Sequence, residues 1–416
     1  MTLWAGDVFD VLPLLESESI DSCVTDGPYG IGFMGREWDT FKPGTGATRK
    51  LMHPRESARA KLVSENPNLH GRHRSPALSP SQIDYDYSVA GLRRFQEWTE
   101  QWAREVLRVL KPGGYILSCG APRAYHRMAS GLEDAGFEIR DCLAWLFGSG
   151  FPKSLNLGDG LGTALKPAHE PIVLARKPFK GTVKANLARH GTGALNIDAC
   201  RIEGGDKESG SGRDGGRDAF DTGQGRWPAN VAIDDIASIV LDEQSGELTS
   251  GANPTRRGSD KFRGTFGEFK GQENCEAARG VDAGGASRFY YVAKPSREER
   301  DFQIFDLGEK SGGEATDRKD GSAGLRSPRA GSGRTGGARN FHPTVKPVEL
   351  MRWLVKLVTP SDGVVLDPFL GSGTTGMACR YERRRFIGIE RERDYLGIAE
   401  RRIRGVAPLF SDEASA

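Results

Sequence analysis

The sequence is short of the residues that would mark an extracellular or metal-bound protein. Its six cysteines are scattered over 416 residues, with no C-x-x-C pair and no neighbouring histidine at metal spacing. Neither a disulfide framework nor a metal site is therefore expected. No stretch approaches the roughly 20 apolar residues of a membrane span, and no basic-then-apolar start marks a secretory leader. A soluble, cytoplasmic chain is the expectation. Net charge is nearly absent as well, since 58 Lys and Arg against 56 Asp and Glu leave +2. The charge that exists is unevenly placed. Between Lys42 and Leu78, eight basic side chains are set against two glutamates, and 176–190, 250–270 and 308–340 also lean basic. Such patches fit a polyanionic partner, although a charge run is usually only a solvated face.

Residues 1–177 alternate between strand and helix signals. Ser22-Cys23-Val24-Thr25 is short, apolar and β-prone, as a buried strand would be. Phe95, Trp98, Trp102, Val106, Val109 and Leu110 recur at helical spacing until Lys111-Pro112-Gly113-Gly114 stops them. Strands are expected at 115–118, 139–147 and 170–176, with a helix across 123–136. From about 178 to 340 the rhythm fails among glycine-rich stretches, where many of the 55 glycines lie. It resumes at 341 with a helix over 346–358, a strand at Val364-Val365-Leu366, a helix to about 383 and a strand at 385–390. This pattern predicts an α/β fold: a doubly wound, mostly parallel sheet assembled from N- and C-terminal segments around a large insertion.

Two stretches at strand ends carry chemistry. Asp367-Pro368-Phe369-Leu370-Gly371-Ser372-Gly373-Thr374-Thr375-Gly376 contains G-x-G-x-x-G directly after a strand, and Glu390 closes the next strand nineteen residues beyond Gly371. Glycines permit a tight turn and a close backbone approach to a nucleotide, and the acid can hold ribose hydroxyls. Taken alone, the loop serves a dinucleotide, S-adenosylmethionine or a well-packed turn. No Lys-Ser/Thr follows the glycines, so it is not a P-loop. Asp367 suits an ammonium, while Thr344 and Lys346, in His342-Pro343-Thr344-Val345-Lys346-Pro347, suit a carboxylate at a helix start. An amino-acid tail explains both features, which favours S-adenosylmethionine over NAD. The other stretch is Thr25-Asp26-Gly27-Pro28-Tyr29-Gly30.

Asp-Gly-Pro-Tyr near one end and Asp-Pro-Phe-Leu-Gly-Ser-Gly-Thr-Thr near the other resemble the β-class DNA amino methyltransferases. That family implies a Rossmann-like fold, S-adenosyl-L-methionine as cofactor, double-stranded DNA as partner, and an order of catalytic motif, target-recognition region and cofactor loop. By resemblance, 1–177 is the catalytic part, with 31–80 a DNA-contacting loop. Residues 178–340 form the target-recognition insert, 341–408 the cofactor-binding part and 409–416 a tail. The resemblance assigns Asp26, Gly27, Pro28 and Tyr29 to catalysis. It assigns Asp7, Thr344, Lys346, Asp367, Pro368, Phe369, Gly371, Ser372, Gly373, Thr374 and Glu390 to the cofactor, and no metal.

Gly27 departs from the family's usual proline. Glycine keeps the main-chain carbonyl that the family uses and loses only the fixed φ. Two acceptors, the Asp26 carboxylate and the Gly27 carbonyl, would take the N–H bonds of a base amino group and free its lone pair. Such a site needs positioning more than a general base, which accords with the lack of a His or Cys nucleophile. The target base would be flipped out of the duplex. Asp at the first position favours adenine-N6, with cytosine-N4 the alternative. A nicotinamide oxidoreductase and a non-catalytic DNA-binding regulator are the more distant readings. Lys42, Arg49, Lys50, Arg256, Arg257 and Lys261 are the candidate DNA contacts, and a homodimer is expected.

Overall fold

The computed structural model describes residues 1–30, 39, 88–148, 150, 156–203, 225–250, 282–293, 297–304, 308, 339–342 and 344–406. Its strands in chain order are β1 (Thr2–Ala5), β2 (Ile20–Thr25), β3 (Leu110–Cys119), β4 (Glu138–Leu146), the short pair β5 (Asn156–Gly158) and β6 (Leu161–Gly162), and β7 (His169–Arg176). They continue with β8 (Val231–Asp234), the short pair β9 (Leu248–Ser250) and β10 (Asp282–Gly284), β11 (Tyr291–Ala293), β12 (Val364–Asp367) and β13 (Arg385–Glu390). Nine of them form one sheet in the order β1-β13-β12-β2-β3-β7-β4-β8-β11. Neighbours run parallel except at β7, which is antiparallel to both β3 and β4.

Why a sheet forms here is legible in the side chains. In β2, Cys23 packs on one face and Val24 on the other, and in β3 Ile116 and Leu117 divide the same way. Successive residues of a strand point to opposite faces, so a run apolar at every position must be covered on both. One cover is the helix Val89–Val109, with Trp98, Trp102 and Val106 against the sheet, beside the helix Tyr125–Asp134 with Met128 and Leu132. The other is the helix Val348–Val358, with Leu350, Trp353 and Leu354, beside Met377 and Ala378 of the helix Thr374–Tyr381. The doubly wound, mostly parallel architecture read from the sequence is the architecture found.

Two details differ from the sequence reading. The long helix ends at Val109, but the chain enters β3 at once instead of passing through a loop. Leu110 already pairs with Ile20, and the register shifts between Ile20 and Ser22. The break in rhythm at 178 is not a break in the sheet either. β8 pairs parallel with β4, and β11 with β8, so chain from within 178–340 extends the sheet edge. These strands are only four and three residues long, too short for periodicity to reveal.

The arrangement fixes where a site can be. From β12 the chain passes through the helix Thr374–Tyr381 to β13 on one side, while the chain that follows β2 returns to the sheet as β3 on the other. β12 and β2 are hydrogen-bonded neighbours, with Val365 opposite Ser22 and Leu366 opposite Cys23. Their C-terminal ends flank the crevice where the order reverses, the usual ligand position in open α/β sheets.

Candidate active site

Asp26 and Asp367 stand at those two strand ends. A cavity of about 1230 Å³ opens there, bordered by Asp7, Asp26–Tyr29, Glu170, Thr344, Lys346, Pro368, Phe369, Gly371 and Glu390. The structure thus brings the motif after β2, the lead-in to the helix Val348–Val358 and the glycine loop to one space.

At its Asp26 end, Tyr29 donates its hydroxyl proton to Asp26 Oδ1 at 2.6 Å. The Lys346 ammonium lies 2.9 Å from each Asp26 oxygen and 2.8 Å from the Tyr29 oxygen. It also pairs with Glu170 Oε2 at 3.0 Å. Burial alone would push the Lys346 pKa down, but the Asp26 and Glu170 charges outweigh it and carry it above the ordinary lysine value. Tyr29 is held well above the usual phenol range by burial and then by the same two acids, so it remains a neutral donor. The Cys119 thiol, buried at the end of β3, is likewise pushed up by burial and adds no charge.

This placement gives Lys346 partners that the sequence did not suggest. The sequence pointed Lys346 at a cofactor carboxylate, whereas the structure commits its ammonium to Asp26, Tyr29 and Glu170. The physical reason is that two carboxylates brought together in a largely buried setting require a cation between them. Glu170 itself was missed. Its one sequence signal is an acid at the head of the otherwise apolar Pro171-Ile172-Val173-Leu174-Ala175.

Gly27 has a local explanation. A Cβ built there would lie 2.7 Å from Phe369 Cδ2. The Phe369 ring is backed by Trp98 and Trp102, each 5.3 Å away between centroids, so it has little room to retreat. Glycine at 27 leaves space for this ring of the glycine loop.

That loop is tied from several directions. The Gly371 N–H donates to Glu390 Oε2 at 2.7 Å, and the Glu392 N–H to Oε1 at 2.9 Å. Gly373 has φ +84, and a Cβ there would meet the Ala399 backbone at 2.9 Å, so only glycine fits. Ser372 and Thr374 turn inward to Arg402, whose guanidinium is fully buried. It donates to the Ser372 carbonyl at 2.6 Å, the Ser372 hydroxyl at 3.0 Å and the Glu299 carbonyl at 2.9 Å. Burial lowers the Arg402 pKa to about 10, still charged at neutral pH. Arg402 is a second residue that the sequence reading missed.

Asp367 is likewise bonded within the protein. Its carboxylate was read as meeting a cofactor ammonium, but it is buried beneath the loop. Oδ1 accepts from the Thr25 hydroxyl at 2.7 Å and from the Phe369 N–H at 3.1 Å. It borders a cavity of only about 20 Å³, not the large one. Burial raises its pKa to about 6 against these hydrogen bonds. Burial also raises Glu390 to about 7 and lowers His342, which borders both cavities, to about 4. Asp7 accepts from the Phe9 N–H at 3.0 Å and so caps the short helix after β1, while facing the large cavity.

A family model for DNA methylases of the N6/N4 type matches residues 20–401. The chain belongs to that family. Type II methyltransferase M.HindIII of Haemophilus influenzae is 23% identical to the methylase over 423 residues, 96% of this chain and 94% of that one. M.ScaI of Streptomyces caespitosus is 44% identical over 78 residues, 19% of this chain and 26% of its own. Among solved structures, the M1.HpyAVI–SAM complex aligns with 97% of the methylase and 98% of its own chain, at 14% identity and a TM-score of 0.37. The PvuII cytosine-N4-specific DNA methyltransferase aligns with 99% and 87%, at 13% identity and a TM-score of 0.45.

Family membership makes DNA the substrate. The expected DNA contacts Lys42, Arg49, Lys50, Arg256, Arg257 and Lys261 lie outside the described residues. Among the described residues of the methylase, no group of three or more His, Cys, Asp or Glu could hold a metal ion. No described helix is long and apolar enough to cross a membrane.

Proposed function

We propose that the protein is a sequence-specific DNA methyltransferase that moves a methyl group from S-adenosyl-L-methionine to the exocyclic N6 of a flipped adenine. The observation that carries this reading is the single cavity shared by Asp26–Tyr29 and the glycine loop with Glu390. Bound S-adenosylmethionine supplies an electrophilic methyl on a sulfonium. Gly371, Gly373 and Glu390 would hold its nucleoside end, with Asp7 near the adenine.

The chain's own residues activate the amino group. Its nitrogen lone pair is delocalised into the base ring, so it is a poor nucleophile. The Asp26 carboxylate and the Gly27 carbonyl each accept one N–H, which draws the nitrogen toward tetrahedral geometry. The Tyr29 ring stacks on the base. Held by Asp26 and Gly27, the nitrogen would take the methyl group, the bonding pair of the sulfonium remaining on sulfur. The nitrogen then sheds one proton to solvent.

Asp at position 26 supports adenine over cytosine, because the adenine enzymes that it resembles carry Asp where cytosine-N4 enzymes more often carry Ser. Residues 31–80 and 178–340 are assigned to DNA closure and target recognition, and the active form to a homodimer. Tritium from the cofactor methyl should appear in duplex DNA, in the adenine fraction after digestion. Label in cytosine would overturn the choice of base. No label, from protein that binds both ligands, would overturn catalysis itself.

Cofactor affinity should depend on pH through Glu390. Its ionised form is the one that accepts ribose hydroxyls, and its pKa in the free protein is raised to about 7. Binding must therefore expel a proton below that pH, so affinity rises by about tenfold from pH 6 to pH 8 and then levels off. Calorimetric titration across that range should show it, with the dependence flattened in Glu390→Gln. A flat profile in the unmodified protein would remove Glu390 from the ribose.

A further inference from the structure

Among the described strands of the large sheet, β7 alone runs against its neighbours. All other strands bring their C-terminal ends to the active-site edge, whereas β7 brings its beginning. The Gly120 N–H bonds to the Pro171 carbonyl at 2.9 Å, which fixes the strand start beside the end of β3. Reversal thereby delivers Glu170 to the catalytic motif, 3.0 Å from Lys346 and 3.2 Å from the Tyr29 hydroxyl.

The arrangement has more acceptors than donors. An ammonium carries three protons, yet four oxygens surround Lys346: two of Asp26, one of Tyr29 and one of Glu170. In this state the carboxylate needed by the base amino group is already bonded through both oxygens. A buried ammonium stripped of its only carboxylate would be strongly unfavourable. With Glu170 in place, Lys346 can let go of Asp26 and remain paired to a carboxylate and to the Tyr29 oxygen.

We propose that Glu170 is a positioning residue: it takes over the Lys346 ammonium when the amino group of the target base engages Asp26. This rests on the reading of Asp26 as the amino-group acceptor. Glu170 touches neither the base nor the methyl group; it sets how readily Asp26 changes partners. Without it, the incoming N–H must compete with a cation that has no other charged partner.

The test is single-turnover methyl transfer at saturating DNA and cofactor, with both dissociation constants measured separately. Glu170→Gln should slow the saturated step by about tenfold or more while cofactor affinity stays within about twofold. Glu170→Asp, which keeps the charge on a shorter arm, should recover part of the loss. Because Glu170 acts through Lys346, adding Glu170→Gln to Lys346→Met should cost little beyond Lys346→Met alone. Transfer at the unmodified rate in a folded Glu170→Gln protein would overturn the proposal, as would losses that multiply in the double variant. If Lys346→Met does not fold, the Gln and Asp variants decide. Asp26→Ala separates the two readings. Its full activity would remove the acceptor role itself, whereas an inactive Asp26→Ala beside a fully active Glu170→Gln removes only the exchange.

Discussion

Asp26→Ala should lower the single-turnover rate of methyl transfer by about 10²–10³-fold, the usual loss when one preorganised group is removed from a transition state. Cofactor binding should survive, because the loop is held by Glu390, Asp367 and Arg402 and not by Asp26. The fold should survive as well. Lys346 keeps its 3.0 Å pair with Glu170, so no buried cation is stranded. Asp26→Asn retains an oxygen acceptor but not the charge, and should fall between the two. Quench-flow transfer measurements with cofactor titrations on the same preparations give the comparison. A rate within a few-fold of the unmodified protein would show that the amino group is activated elsewhere.

Arg402→Ala should have the largest effect on the folded state. The side chain is fully buried and donates to the carbonyls of Ser372 and Glu299 and to the Ser372 hydroxyl. Truncation removes the donor to the Ser372 carbonyl and hydroxyl and the bond to Glu299, and opens a cavity under the glycine loop. Each orphaned buried group costs about 1–3 kcal/mol, so a loss of about 3–5 kcal/mol is expected. The thermal midpoint should fall by about 5–10 °C, and cofactor should bind more weakly because Ser372 loses its anchor. Arg402 also joins the loop to Glu299, so the damage should reach the segment before the helix lead-in. An unchanged midpoint with unchanged cofactor affinity would mean that the loop holds its shape unaided.

What the sequence disclosed followed from local regularities. Helices with apolar faces such as Phe95–Val109 and Val348–Val358, continuously apolar strands such as β2 and β12, and glycines at obligatory turns are all statements about neighbouring residues. They placed the sheet, and they placed Asp26 and Glu390 at strand ends. The parts that were not legible depend on distant chain. Glu170 and Arg402 are charged residues in ordinary-looking segments, and their roles come only from the groups that folding packs around them. The partners of Lys346 were not legible for the same reason: a helix start attracts anions in general, while two acids, one just after β2 and one in β7, attract a cation in particular. The short strands β8 and β11 escaped because three or four residues carry no period.

The most direct test of the central claim is a crystal structure with a non-reactive cofactor analogue and a duplex containing the sequence that the protein methylates. The target base should stand outside the stack. Its amino nitrogen should lie within hydrogen-bond reach of the Asp26 carboxylate and the Gly27 carbonyl, with Lys346 drawn to Glu170. An amino group that contacts neither acceptor in a complex competent for transfer would contradict the account.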